Sequence, residues 1–71
     1  MSRQKLAALL RTIRSDAKLT QGQLAELIGQ SQSYVSKYES GEQRLDLLEL
    51  EVVCKAVKVS LADFVRRYLE G

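Results

Sequence analysis

Apolar residues recur at helical spacing in one segment after another of this chain, and this periodicity constrains its fold most. In residues 2–17 a stripe follows the i, i+3, i+4, i+7 pattern of an amphipathic helix, formed by Leu6, Leu9, Leu10 and Ile13. The chain contains no proline, the residue that most strongly interrupts helices. The one short alternating stretch, "VKVSL" at 57–61, lies across a junction between two helical segments. The sequence therefore predicts an all-α protein.

Four further segments begin where a helix N-terminus is expected. Each starts with a residue typical of helix N-caps: Thr20, Ser31, Asp46 and Ser60. The stretches "TQGQ" at 20–23 and "DLLE" at 46–49 resemble capping boxes, and Gly29 and Gly41 are suited to end the second and third helices. Apolar stripes predict the inward sides of the second, fourth and fifth helices: Leu24, Ala25 and Ile28; Leu50, Val53, Cys54 and Val57; Leu61, Phe64, Val65 and Tyr68. We expect a compact bundle of five short helices.

Length and composition limit the size and class of the protein. With 71 residues, 45% hydrophobic and 28% charged, we expect residues 1–71 to form a single globular domain with a small core. No apolar run approaches 18 residues and no secretory leader is recognisable, so neither a membrane span nor export is expected. The single cysteine, Cys54, fits a reducing cytoplasm, and we interpret it as a small buried hydrophobe rather than a nucleophile.

The residues that support catalysis or metal binding are scarce. The chain has no histidine, and therefore no imidazole base and no histidine-containing metal site. It also has no glycine-rich phosphate loop and no nucleophile with an evident partner. We expect a protein that is not an enzyme and that needs neither metal nor cofactor.

Charge is distributed unevenly along the chain. The net charge of +2 is too small to indicate a partner by itself. Residues 1–44 carry seven basic and four acidic side chains, whereas residues 45–71 carry four basic and five acidic ones. The positive excess thus lies in the front part, which contains the second and third helices.

The second and third helices are separated by a connector of about three residues around Gly29. So short a connection holds two helices close together at a large angle, the helix-turn-helix arrangement. On the third helix, Val35, Tyr38 and Glu39 share one side, which we predict to face inward, with Tyr38 in the core. Small, amide or cationic side chains occupy the opposite side: Gln32, Ser33, Ser36 and Lys37.

The composition of this outward side suits the major groove of DNA. A glutamine amide can form a bidentate pair with adenine, serine can donate or accept at base edges, and lysine can reach guanine or a phosphate. Base contacts come mainly from the N-terminal part of a recognition helix, where Gln32 and Ser33 lie. The alternative is an ordinary solvated helix face.

Three further residues are candidates for contacts to the DNA backbone. Gln21 is the first residue after the cap of the second helix, where a phosphate could bind. Alternatively, it is only a polar residue of the kind usual at a helix N-terminus. Arg44 follows the third helix and is otherwise a surface charge. Tyr34 lies between the two faces, so its hydroxyl could reach a phosphate or its ring could simply pack.

A buried ion pair is expected between the first and third helices. Arg14 lies four residues after Leu10, beside the core stripe, and Glu39 lies four residues after Val35. A charge near the core is costly unless it is paired. We therefore predict a structural salt bridge between Arg14 and Glu39 that fixes the recognition helix.

The stretch "LTQGQLAELIGQSQSYVSKYESGEQRLD" at 19–46 resembles the Cro/phage-repressor helix-turn-helix family, also called the xenobiotic-response-element type. The resemblance extends to Arg14 upstream and to "VKVSLADFV" at 57–65 downstream. The matching positions are Thr20, Gln21, Leu24, Ala25, Gly29, Ser31, Val35, Glu39 and Gly41. It implies a lambda-repressor-like fold and the same Arg14–Glu39 pair.

The resemblance also implies functional roles for individual residues. In that family, the residues matching Gln32, Ser33 and Lys37 face base edges, and the residue matching Gln21 braces the DNA backbone. Gly22 departs from the bulkier helix former usual at its place. The implied function is sequence-specific binding of double-stranded DNA by a prokaryotic or phage transcriptional regulator, more in keeping with a repressor.

One module of this kind reads few base pairs, so we expect a homodimer on a palindromic operator. Tyr68 and Leu69, near the end of the fifth helix, are the candidate dimer contacts; alternatively, both close the core. The competing interpretation is a protein-interaction module, such as an antitoxin that binds a toxin partner through the fifth helix. A controller of a restriction system is a third interpretation, which is still DNA binding.

Overall fold

The computed structural model describes residues 2–71. These residues form five α-helices, α1 (Arg3–Asp16), α2 (Gln21–Ile28), α3 (Gln32–Ser40), α4 (Leu47–Ala56) and α5 (Leu61–Glu70), and no strand occurs among them. The prediction of an all-α fold with five short helices is confirmed. Across residues 2–71, no helix combines the length and the apolar character needed to cross a membrane.

Every helix start is fixed by a side chain that accepts a backbone N–H. The cap residues are those expected, Thr20, Ser31, Asp46 and Ser60, together with Ser2 at the start of α1. At α2 and α4 the capping box is reciprocal, since Gln23 and Glu49 also accept the N–H of their own cap residue. Such caps each contribute about 1 kcal/mol, a substantial sum for helices this short.

The helix ends use left-handed backbone in two ways. Gly29 (φ 70°) and Gly41 (φ 86°) end α2 and α3, where glycine meets no Cβ penalty. After α1 and α4, lysines take the same conformation, Lys18 and Lys58, both at φ 61°. The left-handed region costs a residue with a side chain roughly 1–2 kcal/mol, so these two turns are less favourable than the glycine turns.

Replacing Lys58 by glycine is therefore expected to stabilise the protein by about 0.5–1 kcal/mol, because the gain at positive φ exceeds the extra chain entropy of glycine. The free energy of unfolding from urea titration would measure this. Lys55→Gly, in the last turn of α4, is the matched control and should destabilise. Equal effects at both positions would contradict the explanation.

The core lies where the inward sides of all five helices meet. Its most buried side chains are Leu10, Ile13, Leu24, Val35, Tyr38, Val53, Cys54 and Phe64. One core prediction was wrong: Val65 is 43% exposed. The apolar stripe of α5 is wider than the surface that packs inward, and only Phe64 and Tyr68 are buried on it.

The two ends of the described chain are joined through Tyr68. The Ser2 backbone N–H donates to the Tyr68 hydroxyl at 2.7 Å, and the Lys5 ammonium lies 4.7 Å from the centre of its ring. Tyr68 is only 8% exposed. The sequence left two alternatives for Tyr68, a dimer contact or a residue that closes the core. In the structure its side chain closes the core and offers little surface to a partner.

Candidate nucleic-acid interface

Helices α2 and α3 form a tightly connected pair. Left-handed Gly29 ends α2, the Gln30 N–H donates to the Ala25 carbonyl at 2.9 Å, and Ser31 already caps α3. The chain therefore passes from α2 to α3 within three residues, and the two helices pack closely against each other. This is the helix-turn-helix arrangement expected from the short connector.

The two sides of α3 differ in burial as their side chains suggested. Val35, Tyr38 and Glu39 are 0%, 2% and 4% exposed. The four predicted base-reading side chains are all exposed: Gln32, Ser33, Ser36 and Lys37. Within residues 2–71, none of these four side chains forms a hydrogen bond or an ion pair. Their donors and acceptors are thus available to an external partner.

A buried ion pair holds α3 from behind. Arg14 Nε lies 2.7 Å from Glu39 Oε2, and Arg14 Nη2 donates to Glu39 Oε1 at 3.1 Å. The third guanidinium nitrogen, Nη1, donates to the Leu19 carbonyl at 2.8 Å. The hydrogen bond to Glu39 raises the pKa of Arg14 above its ordinary value, because it favours the charged form. Such a bidentate pair fixes both position and orientation.

Gln21 extends this cluster to α2. Its Nε2 donates to Glu39 Oε1 at 3.1 Å, so the Glu39 carboxylate is bonded from both α1 and α2. An amide nitrogen carries two N–H groups, and one is engaged here. The backbone N–H of Gln21 also belongs to the first turn of α2, which has no intrahelical acceptors. The contact of Gln21 to a DNA phosphate remains a prediction. The same side chain also helps to hold α2 against α3 through Glu39.

Tyr34 adopts the packed alternative. Its hydroxyl donates to Glu49 Oε2 at 3.1 Å, and its ring meets that of Tyr38 edge-on at 5.6 Å. Burial, reinforced by the hydrogen bond to Glu49, raises the pKa of Tyr34 to about 12. Since Glu49 belongs to the capping box of α4, Tyr34 couples α3 to α4. A phosphate contact would require the hydroxyl to leave Glu49.

Arg44 is exposed in the segment between α3 and α4. It lines a groove of about 540 Å³ together with Arg3, Leu6, Leu50 and other residues. No ion pair within residues 2–71 involves its guanidinium, so its charge is open to an external anion.

The buried reactive groups have no access to a substrate. Cys54 is 1% exposed, and burial raises the pKa of its thiol, which keeps it protonated and weakly nucleophilic. The Tyr38 hydroxyl is buried without a hydrogen-bond partner in residues 2–71, and burial likewise raises the pKa of Tyr38. The prediction that Cys54 is a buried hydrophobe is confirmed.

Apolar side chains are concentrated on the outer surface of α4 and α5. Five of the six exposed large hydrophobic residues among residues 2–71 lie on these two helices, and we refer to them together as the α4–α5 apolar face: Leu47, Leu48, Val52, Val65 and Leu69. Val65 and Leu69 each line two apolar grooves. The candidate dimer contact Leu69 is 69% exposed. Sequence reasoning missed the α4 members, although "LL" at 47–48 lies outside the inward stripe and signals an excess of apolar residues.

Comparisons with known proteins agree with this geometry. The chain is similar to the clp gene regulator ClgR from Corynebacterium glutamicum, with 34% identity and a TM-score of 0.87 over 96% of this chain and 87% of that one. It is also similar to the restriction-modification controller protein C.Esp1396I, with 25% identity and a TM-score of 0.88 over 96% and 88% of the two chains.

A second structure of that controller shows its tetramer in complex with its natural 35 base-pair operator, with 25% identity and a TM-score of 0.87 over 96% of this chain and 90% of that one. A comparison with curated proteins gives no match. The family profile described as a helix-turn-helix domain matches residues 5–68, nearly the whole chain. This protein therefore belongs to the helix-turn-helix domain family.

Proposed function

We propose that this protein is a transcriptional regulator that binds operator DNA sequence-specifically, with α3 in the major groove. The observation that carries the proposal is the contrast between the two sides of α3. Its inward side is fixed by packing and by the Arg14–Glu39 pair, whereas its four outward side chains are exposed and have no partner within residues 2–71. A helix whose inward side is fixed and whose outward polar side chains have no partner is suited to contact base edges.

The four outward residues have different roles in the proposed recognition of DNA. Gln32, at the first position of α3, forms a bidentate contact to adenine through its free amide. Ser33 and Ser36 donate to or accept from neighbouring base edges, and Lys37 reaches guanine or a phosphate. Gln21 and Arg44 contact the backbone and set the register of the protein on the duplex.

The regulator acts as a dimer formed through the α4–α5 apolar face. One recognition helix covers few base pairs, so two copies are needed for an operator of useful length. Exposed apolar side chains on two helices that contact each other, α4 and α5, indicate an association site. The related controller C.Esp1396I, a tetramer on its operator, supports assembly on DNA. Such a regulator, more in keeping with a repressor, works in the cytoplasm of a prokaryote or of a phage-infected cell.

The same apolar face is the observation behind the second candidate function. A protein partner, for example a toxin bound by an antitoxin, would cover this face instead of a second copy. The molar mass of the purified protein separates the two. A dimer supports the regulator as proposed, whereas a monomer that binds no DNA supports the interaction module.

Selection of bound sites from a random DNA pool tests the proposal directly. We expect enrichment of a palindrome whose half-sites lie about 34 Å apart, or a multiple of that distance. The affinity should fall steeply as salt concentration rises, because phosphate contacts release counterions. Binding without enrichment of any sequence would contradict sequence-specific recognition.

Replacing Gln32 by alanine is expected to cost about 1–3 kcal/mol on the selected operator and to relax selectivity at one base pair of each half-site. The reason is the loss of one bidentate amide–base contact. Competition binding against operators changed at single positions would measure it. Ser15→Ala, at an exposed position of α1, is the control and should change nothing. A uniform loss over all sequences would exclude base reading by Gln32.

A further inference from the structure

Gly22 occupies a position where its own backbone does not require glycine. It lies in the first turn of α2 and is not among the residues with positive φ. Glycine is a poor helix former, and what distinguishes this position is the space that a side chain larger than a methyl group would occupy.

The space beside Gly22 is bordered by two side chains. A Cβ at this position would lie 3.9 Å from the Thr20 hydroxyl oxygen and 4.0 Å from Gln32 Oε1. Both are ordinary van der Waals distances, so a methyl group fits. The Thr20 hydroxyl is held in the capping box by the Gln23 N–H at 3.0 Å and cannot move away easily. Any larger side chain directed towards α3 must therefore displace the Gln32 amide.

Nothing else holds the Gln32 side chain. Within residues 2–71 its amide forms no hydrogen bond, and the Gln21 amide on α2 is bonded to Glu39 instead. Gln32 can thus change conformation at the junction of α2 and α3 without breaking a contact. Its freedom depends on the missing side chain at position 22.

From this geometry we infer that Gly22 is a specificity-determining residue, which acts through Gln32 by leaving that amide free to take the conformation that contacts a base. Gly22 itself touches no base; it is a positioning residue. The inference rests on the proposed function, because it concerns the base pair that Gln32 reads.

The test combines substitutions at both positions. Gly22→Ala should retain the operator preference of the original protein, since a methyl group fits. Gly22→Leu should reduce discrimination at the Gln32-dependent base pair by about tenfold, the size expected when one bidentate contact is lost. Its thermal midpoint should be no lower than that of Gly22→Ala, which separates the effect from misfolding.

The background variant Gln32→Ala makes the result decisive. If leucine at position 22 acts through Gln32, adding Gly22→Leu to Gln32→Ala should leave base discrimination unchanged. The inference is overturned if Gly22→Leu keeps the original preference, or if it weakens binding equally in both backgrounds, as a direct clash with DNA would. If the original protein selects no DNA sequence, the proposed function fails and the inference falls with it.

Discussion

Replacing Arg14 by alanine is expected to lower the free energy of unfolding by about 3–5 kcal/mol, because it leaves a buried carboxylate without its cationic partner. The Glu39 side chain is only 3% exposed and would retain a single side-chain donor, Gln21. The loss is a large fraction of the stability of a small domain, about 5–15 kcal/mol. Urea titration followed by circular dichroism would measure it.

Two variants serve as controls for this result. Arg14→Lys retains the charge but not the planar bidentate geometry, so we expect an intermediate loss. Arg66→Ala removes the partner of Asp63 in an exposed pair, with side chains 64% and 55% accessible, and should change stability little. The operator preference of folded Arg14→Ala should remain unchanged, because the Arg14 guanidinium is bonded to Glu39 and Leu19 rather than placed on the outward side of α3. If Arg14→Ala is as stable as the original protein, the buried pair does not stabilise the fold.

Replacing Leu48 and Leu69 together by glutamine is expected to convert the proposed dimer into a monomer and to lower affinity for the full operator by about 10²-fold or more. The two side chains are 73% and 69% exposed, so removing their apolar surface weakens association without opening the core. The salt dependence of binding should fall by roughly half, because each monomer contacts only one half-site. Analytical ultracentrifugation and binding to full and half operators would measure both effects.

The matched control is Ala8→Gln, at an exposed position of α1 that is not part of the α4–α5 apolar face. It should leave the oligomeric state and the affinity unchanged. A double glutamine variant that still sediments as a dimer would show that the second copy binds elsewhere. If the original protein sediments only as a monomer, this face is not a dimer surface in the absence of DNA.

The helices could be predicted from sequence because their signals are local. A cap such as Thr20 and the apolar spacing that follows it determine both the start and the inward side of a helix within one or two turns. The contact between Arg14 and Glu39, 25 residues apart, could also be predicted. Both charges lie beside apolar stripes that face the core, where a charge is costly unless it is paired. Their stripes define the same core.

The remaining features depend on packing between helices, which local patterns do not encode. Val65 continues the apolar stripe of α5, but only Phe64 and Tyr68 of that helix pack inward, which leaves Val65 43% exposed. Tyr34 was ambiguous because its partner Glu49 lies on another helix. Similarly, the bond from Gln21 to Glu39 follows from how closely α2 approaches α3. The space shared by Gly22 and Gln32 has the same origin.

Within residues 2–71 the outward side chains of α3 form no hydrogen bond or ion pair, which has a consequence for how such proteins diversify. Since Gln32, Ser33, Ser36 and Lys37 support no part of the fold within residues 2–71, substitutions among polar residues there should be nearly neutral for folding. Operator preference can then drift by single mutations while the scaffold stays intact. Gene duplicates of one such protein could acquire separate target sites quickly, limited mainly at positions such as 22, where a larger side chain would restrict the conformation of Gln32.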